Sequence, residues 1–188
     1  MPSEPKTHPL EYHRGDLFEF LDTLPNHDRF RVDICHVVND VGAWGAGFTR
    51  PLTAWFPLAE KRYREEGRLP LGSARSWTNM DDLGATGRLV CVQHLYAQRG
   101  LIGPGNPRPV RYAALAAALG TVACRQLNVG LSVDRYLLPA IGCGLAGGEW
   151  SVVAPLIRAT LCEVAPVTVC LLPGEFGRFV AADPQYAA

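Results

Sequence analysis

Twice in this chain a short apolar run opens into a cluster of glycines and then into a helical pattern. The first is VVNDVGAWGAGF (37–48), with Gly42, Gly45 and Gly47; the second is LLPAIGCGLAGGEW (137–150), with Gly142, Gly144, Gly147 and Gly148. In open α/β sheets ligands collect beyond the carboxyl ends of strands, where helix N-termini present free N–H groups and glycine lets the backbone approach a bound group. Consecutive amides in such a loop form a nest suited to phosphate oxygens. One loop of this kind says little. Two of them suggest a diphosphate gripped from both sides.

The second loop has a competing reading. Gly142-x-Gly144-x-x-Gly147 matches the spacing of the dinucleotide fingerprint, with Glu175 past the following strand as the ribose acid. That fingerprint would open a doubly wound sheet with only about 45 residues of chain left, and it leaves the first loop without a job.

The rest of the chain alternates apolar runs with helical patterns, as an α/β domain does. The spacing predicts a strand over 32–38 and a helical stretch over 48–66, divided by Pro51 and Pro57. Strands follow over 72–79 and 88–96, joined by a polar turn at 81–84, and an alanine-rich helix over 111–128 carries Leu115, Leu119 and Val122 in a stripe. A strand over 135–141, a helix over 149–164 and a last strand over 166–172 complete the pattern. The segment QRGLIGPGNPRP (98–109) holds three glycines and three prolines and suits no regular element. It reads as an exposed connection or as a flap. The expectation is a single domain spanning 1–188, with its core at about 10–173 and irregular tails at both ends.

Composition narrows the function classes. Lys+Arg and Asp+Glu each number 18, so the formal net charge is zero, which argues against a nucleic-acid binder relying on counterion release. No apolar stretch approaches the roughly 18 residues of a membrane span, and the first residues carry no apolar signal region. The six cysteines form no CxxC pair and have no histidine-rich cluster beside them. These features lead us to expect a reduced, cytoplasmic protein with no metal, no cofactor and no membrane partner.

With both loops in view, the sequence resembles the macrodomain family. The motifs that carry the resemblance are RGDLF (14–18), NDVGAWGAGF (39–48), the pattern of Phe56, Pro57 and Tyr63, and PAIGCGLAGGEW (139–150). The branch it is most similar to is the terminal ADP-ribose protein glycohydrolases and their fungal relatives that dephosphorylate ADP-ribose 1″-phosphate. The resemblance implies a three-layer α/β/α fold with a mixed central sheet. It also implies ADP-ribose, free or attached to a protein, as the ligand. Asp16 would then accept a hydrogen bond from the adenine amino group, with the Leu17 amide beside it; as a plain loop acid it would cap a helix. Asn39 would meet the distal ribose and Trp44 would wall it, unless Trp44 is a packing residue. Gly45, Ala46 and Gly47 would form one phosphate loop, and Ile141, Gly142, Cys143, Gly144, Leu145 and Ala146 the other.

The departures from that family bear on chemistry. The human-type glycohydrolases use a lysine that attacks the ribose and an aspartate after the GCGL sequence. Here the aspartate position is Ala146, the lysine region is Trp77–Thr78, and the chain's only lysines are Lys6 and Lys61. These departures argue against a lysine-based route, and hydrolysis of ester-linked mono-ADP-ribose from protein acidic side chains would then use bound water. Asp40, beside Asn39, is the carboxylate that would take the proton, or else a loop acid that pins the glycine turn. The alternatives are a reader that binds without turnover, or a processor of ADP-ribose 1″-phosphate or O-acetyl-ADP-ribose. His94 and Cys143 carry chemically capable side chains, but a strand histidine and a small loop cysteine also suit packing.

Overall fold

The structure is a computed structural model that describes residues 7–78, 87–129 and 132–186. The predicted turn at 81–84 lies outside the described residues. Strands β1 (Leu10–Arg14), β2 (Arg31–Asn39), β3 (Ala74–Thr78), β4 (Leu89–Gln98), β5 (Arg135–Leu138) and β6 (Val167–Leu171) form one sheet in the order β1-β6-β5-β2-β4-β3. All neighbours are parallel except β3, which runs antiparallel to β4 with Trp77 opposite Val92. The sheet is therefore mixed, as the resemblance implied.

Helices α1 (Leu17–Thr23), α2 (Thr49–Trp55) and α3 (Pro57–Glu66) cover one face; α4 (Tyr112–Val129), α5 (Trp150–Arg158) and α6 (Pro173–Ala181) cover the other. The strands alternate between the two layers with period two. Leu137 packs with Leu17, Phe18 and Leu52, while its neighbours Tyr136 and Leu138 pack with Leu115, Val153 and Ile157. Full burial of each such side chain contributes about 1.5–3 kcal/mol. The predicted break in the 48–66 stretch falls between Trp55 and Pro57. There Pro57 takes the first position of α3, where its missing N–H costs nothing.

Three expectations change. The helix predicted over 149–164 ends at Arg158, with Pro155 inside it, and the chain continues as a short 3-10 turn at Leu161–Glu163. The strand β1 and helix α1 were not predicted. The expected irregular C-terminal tail is instead α6, and it is tied down. Beyond it Asp183 is fully buried, receiving the Arg158 guanidinium at 2.8 Å and the Tyr12 hydroxyl, while Trp150 Nε1 donates to that hydroxyl at 2.8 Å. Burial alone would raise the Asp183 carboxyl, but the hydrogen bonds from Arg158 and Tyr12 outweigh it and hold it below the usual carboxylate range. Among the described residues no helix is long and apolar enough to cross a membrane.

Candidate functional site

A cleft of about 850 Å³ runs across the carboxyl ends of all five parallel strands. Each strand delivers a residue to it: Gly15 after β1, Leu172 after β6, Pro139 after β5, Asn39 from β2 and Gln98 from β4. Four strand spacings make it about 19 Å long, so its shape suits an elongated ligand.

At the β1/β6 end, Asp16 lines the cleft and caps α1, its Oδ1 accepting the amides of Phe18 at 2.8 Å and Glu19 at 3.2 Å. The capping alternative for Asp16 thus holds, and the residue also lines the cleft. Leu17, Cys170, Glu175 and Phe179 complete this end.

The two glycine loops form the middle. In the first, the amides of Gly45 and Ala46 both point at the Thr49 hydroxyl, at 3.0 and 3.1 Å. In the second, the amides of Gly144, Leu145 and Ala146 find no carbonyl partner among the described residues. The loops approach one another, since a Cβ on Gly47 would stand 3.4 Å from Leu145 Cδ1. The second loop is also braced from behind. Gly147 has φ +67 and its missing Cβ would meet the Pro107 carbonyl oxygen at 2.6 Å, so the Gln98–Pro109 segment packs where any side chain would stand.

At the β2/β4 end, Asn39 is spent on the backbone of the first loop. Its Oδ1 accepts from Val41 and Ala43 and its Nδ2 donates to the Ala43 carbonyl at 2.7 Å. Tyr63 OH donates to the Asn39 carbonyl at 2.8 Å. Trp44 lines the cleft, fixed by its indole N–H on Thr53 at 2.8 Å and by packing on Tyr63. Gln98 and Leu101 close this end, so the glycine- and proline-rich segment contributes a wall to the cleft. It is an ordered strap, with Arg99 N bonded to the Pro109 carbonyl at 3.0 Å and Asn106 Nδ2 bridging the carbonyls of Arg99 and Leu101.

Of the residues predicted from sequence, Asp16, Leu17, Asn39, Trp44, Ala46, Gly47, Ile141, Gly142, Gly144, Leu145 and Ala146 line the cleft. Three do not. Gly45 contributes its amide to the loop without lining the cavity. Cys143 packs against the core, and burial pushes its thiol up to about 12, so no thiolate is on offer. Asp40, expected as a base or as a loop acid, does not line the cleft, and its Oδ1 accepts the Gly100 amide at 2.7 Å, tying the strap to the end of β2.

Sequence reasoning passed over His36, three residues before Asn39 on β2. It lines the cleft at 2% exposure, edge-on to Trp44 and His94, and neither ring nitrogen has a hydrogen-bond partner. Burial, helped by the neighbouring His94, holds its ring well below the ordinary histidine value, so it is neutral at pH 7. Its place inside an apolar run gave no local signal. His94 itself is fully buried with Nδ1 at 3.0 Å from Glu66 Oε2, the packing role. Among the described residues no group of His, Cys, Asp or Glu side chains is gathered to hold a metal ion.

No family model matches the sequence, and no curated protein matches it. Solved structures do. A protein of unknown function from Bacteroides thetaiotaomicron is 27% identical, with 88% of this chain and 99% of that one covered at a TM-score of 0.70. The Thermosipho africanus DarTG in complex with ADP-ribose shares the fold at 21% identity and a TM-score of 0.65, over 84% of this chain and 42% of that one. A macrodomain protein from Streptomyces coelicolor is 33% identical, with 86% of this chain and 98% of that one covered at a TM-score of 0.59. Identity at that level across nearly the whole of the Streptomyces protein, on a mixed sheet with both glycine loops at its strand ends, establishes that this chain belongs to the macrodomain family.

Proposed function

We propose that the cleft binds ADP-ribose and that the protein hydrolyses ester-linked mono-ADP-ribose from acidic side chains of a modified protein. Adenine lies at the β1/β6 end, with its amino group on Asp16 and Leu17 beside it. The diphosphate lies between Gly45–Gly47 and Gly142–Ala146, and the distal ribose lies against Asn39 and Trp44. The observation that carries this reading is the pairing of the two loops, with Leu145 arched over Gly47 and three amides of the second loop free to take oxygens. The complex of the similarly folded Thermosipho africanus DarTG with ADP-ribose supports the choice of ligand.

The chemistry uses water. A water oxygen attacks the anomeric carbon of the distal ribose as the bond to the acyl oxygen breaks. The carboxylate leaves without needing a general acid, because it is stable as an anion at neutral pH. The diphosphate orients the water, whose proton passes to solvent as the new C–O bond forms. Positioning supplies the rest of the rate.

A second reading, binding without turnover, is favoured by one observation: Asp40 is occupied by Gly100 and no other carboxylate lines the β2/β4 end among the described residues. Calorimetry with ADP-ribose, run beside an assay of ADP-ribose release from a protein modified on glutamate, separates the two. Binding with release supports the hydrolase. Binding without release leaves the reader, and absence of binding removes both.

A further inference from the structure

Helix α6 forms part of the cleft wall at the β1/β6 end, where Glu175 and Phe179 line it and Leu172 leads into the helix. Its own sequence holds it poorly. It opens on Pro173, buries only Phe179 and has Gly177 mid-helix, where glycine costs about 1 kcal/mol against alanine. The seat of this wall is therefore set by what the helix is attached to.

The attachment is the turn that follows it. Asp183 is fully buried, and its carboxylate receives two guanidinium nitrogens of Arg158, at 2.8 and 2.5 Å, the Gln185 amide at 3.0 Å and the Tyr12 hydroxyl. Tyr12 in turn accepts the Trp150 indole N–H at 2.8 Å, and the Tyr186 ring stands edge-on to it. Trp150 then meets Phe179 edge-on, with ring centroids 5.7 Å apart, which closes the circuit back to the cleft wall. None of Tyr12, Trp150, Arg158 and Asp183 lines the cleft. Yet the elements they join all run into it: β1 leads to Gly15 and Asp16, the second glycine loop leads to Trp150 at the head of α5, and α6 carries Phe179.

We propose that Tyr12 and Asp183 are positioning residues for the β1/β6 end of the cleft, clamping α6 to β1 and α5 so that Phe179 and Glu175 are in place before a ligand arrives. This rests on the ADP-ribose reading, which puts the adenosine at that end, and adds that affinity for the adenosine is set from behind the wall. A helix that had to be ordered on binding would draw on the binding energy, and a clamp already closed removes that cost. Affinity then follows the fraction of molecules in which the helix is seated.

The test titrates the full chain with ADP-ribose and, by competition, with AMP, which would fill only the adenosine end and one phosphate position. Tyr12→Phe, which removes a single hydroxyl, is expected to weaken ADP-ribose binding by about threefold, and Asp183→Ala by on the order of tenfold. AMP should weaken by the same factor in each variant, because the part of the site that is lost belongs to the adenosine. Gln126→Ala is the control. It disturbs the buried Asp33 group near the amino end of β2, to which Gln126 Nε2 donates at 3.2 Å. It should lower Tm yet leave affinity within about twofold. Thermal melts show that each variant is folded at the temperature of the titration. Folded Tyr12→Phe and Asp183→Ala that bind as the wild type does overturn the proposal. So does a larger loss for ADP-ribose than for AMP, which would place the effect on the glycine loops, and so does an equal loss in Gln126→Ala, which would make it one of overall stability. In each of these cases the ADP-ribose reading stands. If the wild type binds no ADP-ribose, that reading falls and takes this inference with it.

Discussion

The carboxylate of Asp40 holds the amide of Gly100 at 2.7 Å, joining the end of β2 to the strap that leaves β4. The bond converts a loop rich in glycine and proline into a wall of the cleft, because Gly100 lies between Gln98 and Leu101, which line it. We therefore propose that Asp40 acts as a positioning residue, so its substitutions should sort by hydrogen bonding rather than by charge.

Asp40→Asn keeps an oxygen acceptor for Gly100, whereas Asp40→Ala does not. We expect Asn to retain ADP-ribose binding and release within about twofold and Ala to lose on the order of tenfold, the scale of one charge-assisted hydrogen bond. Affinities and release rates of both variants check this. Equal loss of release in both, with binding retained, would return Asp40 to the chemistry.

Gly144 offers a way to block the cleft without harming the fold. Nothing lies within 4 Å of the position its Cβ would take, and its φ lies outside the left-handed region. Gly144→Val should leave stability within about 1 kcal/mol of the wild type, as for other substitutions away from the core. It should abolish ADP-ribose binding at concentrations that saturate the wild type. A denaturant melt paired with calorimetry reads both, and undiminished binding would show that the diphosphate does not sit on this loop.

Gly147 is the opposite case. Alanine there combines a left-handed φ of +67 with a Cβ 2.6 Å from the Pro107 carbonyl oxygen. The expected cost is roughly 3 kcal/mol in folding stability, from strain and forced displacement of the strap. A drop in Tm no larger than the one Gly144→Val produces would contradict the close packing of the two segments.

The state of His36 predicts a pH dependence. Its folded ring is held well below 6.5 by burial and by His94, while in the unfolded chain it titrates normally. The unfolded state therefore takes up the proton first as pH falls, so the stability this residue contributes is complete above about 6.5 and is lost below it. Between pH 7 and pH 5 the stability contributed by this residue should therefore fall. His36→Phe should flatten that part of the pH profile of unfolding. An unchanged slope would mean that the ring is charged or solvated in the folded protein.

Sequence exposed the parts of this molecule whose cause is local. The runs that became β2 and β4 are buried on both faces and are mostly apolar, with Asp33, His36, Gln93 and His94 among them, and the two loops announced themselves by their glycines. What stayed hidden depends on partners far along the chain. β1 (LEYHR) is mostly polar, and it is a strand because β6 offers it an edge. α6 begins at a proline and contains two glycines, a poor helix by propensity, yet burial of Phe179 and the Asp183 cluster hold it. The same reasoning explains Asp40. Its position beside Asn39 suggested chemistry, and the partner that claims it is the amide of Gly100, 60 residues later.

The pairing of β1 with β6, Leu10 opposite Val167, has a consequence for how the molecule comes into being. A ribosome delivers the first strand long before the strand it must lie against, so the sheet has no edge for β1 until most of the chain has been made. The rim of Gly15, Asp16 and Leu17 follows directly from β1, and it is thus the last part of the cleft to take shape. A nascent chain halted before Val167 would carry both glycine loops and still have no complete seat for a nucleotide.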